Sequence, residues 1–96
     1  MAANKLFSFV ARGTISNGNI KAKLEGDVTG PEGALNTDQD RVIQALKTCE
    51  KSHPDFVPTK ISVSRRVSRP NGSSFKETFI EEFDEATIRH YRELRA

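Results

Sequence analysis

The sequence predicts an α+β domain in which two β-hairpin-plus-helix units (ββαββα) form one antiparallel sheet of about four strands with two helices on one face. Three observations predict it. Each half of the chain holds two stretches of period-2 hydrophobicity that meet at an Asn-Gly pair. Each hairpin is followed by a stretch of helical periodicity with an N-capping residue in front. At 96 residues the chain is the length of one domain, 1–96, and neither hairpin can keep an apolar face exposed alone.

From Lys5 to Ile15, Phe7, Phe9, Ala11 and Ile15 share one parity, with Ser8, Arg12 and Thr14 on the other. Ser16, Asn17, Gly18 and Asn19 form the turn, since Asn and Gly tolerate positive φ. Residues 20 to 28 then alternate Ile20, Ala22, Leu24 and Val28 against Lys21, Lys23, Glu25 and Asp27. Gly30, Pro31 and Gly33 mark residues 29 to 36 as a loop.

Thr37 is placed to cap a helix with Asp38 and Asp40 in its first turn and Val42, Ile43, Ala45, Leu46 and Cys49 as its apolar stripe. Pro54 and Pro58 require it to stop near Ser52. In the second hairpin Ile61, Val63 and Val67 alternate with Ser62, Ser64, Arg66 and Ser68. Pro70, Asn71 and Gly72 turn the chain into a run with Phe75, Phe79 and Phe83 on one parity. Asp84 caps the last helix, whose stripe is Ile88, Tyr91 and Leu94.

Composition excludes several classes. Leu, Ile, Val and Phe are frequent enough for a packed core, and 15 Lys and Arg against 13 Asp and Glu leave a net charge of only +2. One cysteine precludes an internal disulfide, and Cys49, His53 and His90 are too few for a structural zinc site. The N-terminal stretch is neither a signal-peptide core nor a membrane span, so a cytoplasmic location and no membrane partner are expected. No phosphate-binding glycine loop or dinucleotide fingerprint occurs, and no cofactor or metal is implied.

Isolated pairs add little. Cys49 and His53 have the spacing of a thiol and its base, but Cys49 continues the apolar stripe, which makes it a buried, inert thiol. Glu81 and Glu82 fall on opposite strand faces, and Asp84 and Glu85 serve a helix start, so no cation site or acid-base pair assembles. The protein is expected not to be an enzyme.

The informative pattern is charge segregation. Residues 57 to 76 hold Lys60, Arg65, Arg66, Arg69 and Lys76 with no acid, and residues 77 to 85 hold Glu77, Glu81, Glu82, Asp84 and Glu85 with no base. Two explanations compete: cross-strand pairing that neutralises the hairpin, or a basic ribbon that contacts phosphates, extended by Lys21 and Lys23 if the hairpins adjoin. The expected function is that of a small non-catalytic binding protein contacting nucleic acid through Lys60, Arg65, Arg66, Arg69 and Lys76. The alternative is a regulatory or inhibitory module that docks on a protein through a sheet edge or its charged surfaces, with self-association through an edge strand also open.

Overall fold

A computed structural model describes residues 5–30 and 35–95. The elements are β1 (Lys5–Ile15), β2 (Ile20–Gly30), α1 (Asp38–Ser52), β3 (Val57–Ser68), β4 (Ser74–Glu82) and α2 (Glu85–Arg95). One four-stranded sheet has the order β2-β1-β3-β4 with every neighbouring pair antiparallel. The architecture expected from the sequence is the one observed, and the part of the loop reading that covers residues 31–34 lies outside the described residues.

Local chemistry sets the element ends. Asn17 and Gly18 occupy the central positions of the first turn with φ of 56° and 86°, as a primed hairpin turn requires, and Asn19 N–H donates to Ser16 O at 3.1 Å. Ser16 also has positive φ, and its N–H donates to the Asp55 carboxylate, which ties this turn to the segment before β3. The second turn is built differently. Gly72 alone is left-handed, Gly72 N–H bonds Arg69 O at 3.0 Å, and Asn71 Oδ1 accepts from both the Ser73 amide and hydroxyl. The shared Asn-Gly pair therefore reflects turn chemistry and closes two hairpins of different geometry.

Thr37 Oγ1 accepts from Asp40 N–H at 3.0 Å, and α1 ends at Ser52. Asp84 Oδ1 accepts from the Thr87 amide at 2.8 Å and hydroxyl at 2.9 Å, which caps α2 and holds the Asp84 carboxyl below its ordinary range.

Because β2 and β3 both lie antiparallel to β1, they are parallel to each other, and α1 is the crossover that carries the chain past β1. It packs on β1, β2 and β3 from one side. Phe7, Phe9, Ala11, Val28, Ile61 and Val63 meet Val42, Ala45, Leu46 and Cys49 of α1 in the core. Gly26 stands opposite Phe9, whose ring occupies the space a side chain there would need. Two further buried residues, Leu35 and Phe56, come from connecting segments that carry no periodicity.

The second helix adds its anchor on the same side. Tyr91 is buried, its ring lies 5.3 Å from that of Phe83, and its hydroxyl donates to Glu81 Oε1 at 3.1 Å. Burial and the Glu81 charge push the Tyr91 phenol pKa upward, so it stays a neutral donor. Gln39 Nε2 donates to His90 Nε2 at 3.2 Å and links the two helices.

An irregularity in the sheet sits between β1 and β3. Arg12 faces Lys60 but Gly13 faces Pro58, so Thr59 is an extra residue in β3, and its hydroxyl donates to Arg12 O at 3.1 Å. This bulge explains how Pro58, which has no N–H to give, is tolerated inside a central strand.

Candidate nucleic-acid interface

α1 covers the face bearing Phe7, Phe9, Ala11, Ile61 and Val63, Tyr91 anchors α2 on the same side, and among the described residues no element covers the other face. That open face is built by the opposite parity of each strand. Lys23, Arg12, Lys60 and Glu82 form one row across the four strands. Glu25, Val10, Ser62 and Ile80 form the next, followed by Asp27, Ser8, Ser64 and Thr78. Lys21 flanks the first row at the β2 edge.

Beyond Ser64, β3 is no longer paired with β1, and Arg65 to Glu77 continue as a two-stranded arm. Arg66 and Lys76 stand directly opposite each other there, with Ser68 opposite Ser74, on the same face as the Lys23, Arg12 and Lys60 row. A longest molecular extent of 48 Å, against 26 and 23 Å, accords with such an extension.

The five residues expected to act together divide between the two faces. Lys60, Arg66 and Lys76 lie on the open face. Arg65 shares the parity of Ile61 and Val63 and points to the helix side, where its Nε donates to Glu77 Oε2 at 2.8 Å and its guanidinium lies 5.6 Å from the Phe7 ring centre. Arg69, at the tip, lies 4.6 Å over the ring of Phe75. Arg12, one of the polar positions of β1, fills the gap between Lys23 and Lys60.

Among the described residues cross-strand neutralisation occurs once. Arg65 pairs with Glu77, but Lys60 makes no ion pair with Glu82 despite their register, and Arg66 faces a second cation. Among the described residues no carboxylate lies within 4 Å of the charged groups of Arg12, Lys60, Arg66 or Lys76. Glu77 and Glu81 face the helix side, so the acidic segment contributes only Glu82 to the open sheet surface. Lys23 is paired with Glu25 at 3.2 Å, and Lys21, Arg12, Lys60, Arg66 and Lys76 stand against Asp27 and Glu82, which leaves the face positive. A shallow depression of about 360 Å³ on it is lined by Arg12, Lys23, Lys60 and Lys76 with Ser62 and Thr78.

Other groups offer no comparable chemistry. A cavity of about 110 Å³ near the start of α1 is bordered by Arg41, Asp38, Arg65 and Glu77, whose charges are already paired with one another. Among the described residues no three His, Cys, Asp or Glu side chains gather at metal-binding distance, and no helix is long and apolar enough to cross a membrane. Burial raises the Cys49 thiol to about 11. Native protein at pH 8 is therefore expected to resist alkylation by iodoacetamide and to react fully in denaturant, as read by intact mass. Rapid native labelling would contradict a buried, inert thiol.

Compared with known proteins, the chain matches no family model, no curated protein and no solved structure.

Proposed function

We propose that this protein is a non-catalytic nucleic-acid-binding domain that holds the phosphate backbone with its open sheet face and the basic arm. The observation that carries the reading is the Arg66 and Lys76 pair, two cations opposed on one ladder with no carboxylate among the described residues within 4 Å. Like charges directly opposite each other destabilise a hairpin, and a bound anion between them removes that penalty. Continuity of the pair with Lys60, Arg12 and Lys23 extends the cationic surface over several strands, and Ser62, Thr78 and Ser8 supply hydroxyls of the kind that bond phosphate oxygens.

Salt dependence tests the reading. Each cation engaged on a phosphate releases a counterion, so the slope of log affinity against log salt counts contacts at roughly 0.9 each on B-form DNA. A variant with Lys60, Arg66 and Lys76 all changed to Gln is expected to lose roughly 3 in that slope. Arg65→Gln is expected to leave it unchanged, because Arg65 is paired with Glu77 on the other side. A slope that falls for Arg65→Gln and not for the triple variant would place binding elsewhere.

A further inference from the structure

We infer that the ligand is double-stranded DNA in the B form, with the arm lying in its major groove; this rests on the reading above and specifies it. The open face has no platform for unpaired bases. Single strands are held largely by stacking on exposed aromatic rings. Here Phe7, Phe9, Phe79 and Phe75 take the helix-side parity of their strands, Phe56, Phe83 and Tyr91 pack within or against the core, and Phe75, 39% exposed, has Arg69 over its ring. What the face presents instead is ammonium, guanidinium and hydroxyl groups, the chemistry of a phosphate backbone and of groove edges.

The dimensions select the groove. Two strands about 5 Å apart make a ribbon that a major groove about 12 Å wide admits. Four residues of β3 beyond Ser64 carry the arm about 13 Å past its last pairing with β1, which exceeds the groove depth of about 8.5 Å. Arg66 gives one N–H to Ser74 Oγ at 3.1 Å, so its remaining donors and the Lys76 ammonium are available to base edges. Lys60 lies about 20 Å back along β3, and with Arg12 and Lys23 it meets backbone flanking the groove. The reverse side of the arm is occupied internally by the Arg65 pair with Glu77 and by Arg69 over Phe75. An A-form RNA duplex has a major groove too narrow for this ribbon.

The test is fluorescence anisotropy at one near-physiological salt with four labelled probes of matched sequence and length. These are a DNA duplex, its single strand, the corresponding RNA duplex, and a DNA duplex whose cytosines carry a bulky substituent at C5 that fills the major groove. The unmodified DNA duplex is expected to bind at least roughly tenfold tighter than each of the other three. RNA duplex or single strand binding as tightly as DNA duplex would overturn the choice of ligand while leaving backbone binding in place. Equal binding to the C5-blocked duplex would overturn the groove placement, and binding to none of the probes would overturn both this inference and the reading beneath it.

Discussion

Replacing Gly13 by alanine is expected to cost about 3 kcal/mol or more, and to lower the melting temperature by about 15 °C. A Cβ built there would collide with Val57 O and lie 2.9 Å from Pro58 Cα and 3.0 Å from Phe56 Cε1. Two of these are backbone atoms and the third belongs to a ring that is 1% exposed, so nothing nearby can rotate away. The clash falls at the bulge where β1 and β3 join, and among the described residues β1 to β3 is the ladder connecting the two hairpins. Gly18→Ala is the control. Its Cβ meets nothing within 4 Å, and the cost is only the left-handed φ of 86°, about 1 kcal/mol. Thermal or urea unfolding of the two variants separates close approach from backbone conformation. Equal losses for both would contradict the tight β1–β3 junction.

Lys76→Glu is expected to move stability and binding in opposite directions. Opposite Arg66 the new carboxylate replaces a like-charge pair by an ion pair, a gain of roughly 0.2–1 kcal/mol in the arm. The same change removes one phosphate contact, ties up Arg66 and brings a negative charge toward the duplex, so affinity falls by about a hundredfold. Unfolding in urea and anisotropy on the DNA duplex read the two quantities on the same sample. A stability loss with unchanged affinity would mean that Lys76 serves the fold and not the ligand.

Most of the fold was legible because its signals are local. Strand parity, the Asn17-Gly18 and Asn71-Gly72 turns and the Thr37 and Asp84 caps each depend on a few neighbouring residues. Strand order did not follow from them, since it is set by where α1 returns the chain, and that depends on packing between distant segments. The bulge at Thr59 was equally hidden. Pro58 looked like part of a breaker before the strand, whereas the extra residue lets β3 begin at Val57. Leu35 and Phe56 are buried from irregular segments, where no period exists to read.

The division of the candidate site was readable in part. Arg65 has the parity of Ile61, Val63 and Val67, so period-2 counting alone puts it on the helix side, and Lys60 and Arg66 with Ser62 and Ser64 on the other. Grouping cations by closeness in sequence hid that split. Arg12 required more, because its place beside Lys60 comes from a pairing between residues 48 apart in the chain, which depends on the strand order.

The central claim is that the open face and the arm, and not the helix side, meet the nucleic acid. Isotope-labelled protein titrated with a short DNA duplex at near-physiological salt tests this most directly. The expected result is a set of backbone amide shifts at Arg12, Lys23, Lys60, Ser62, Arg66 and Lys76, with α1 and α2 unmoved. Shifts confined to α1 and α2, or spectra that do not change with duplex, would contradict it.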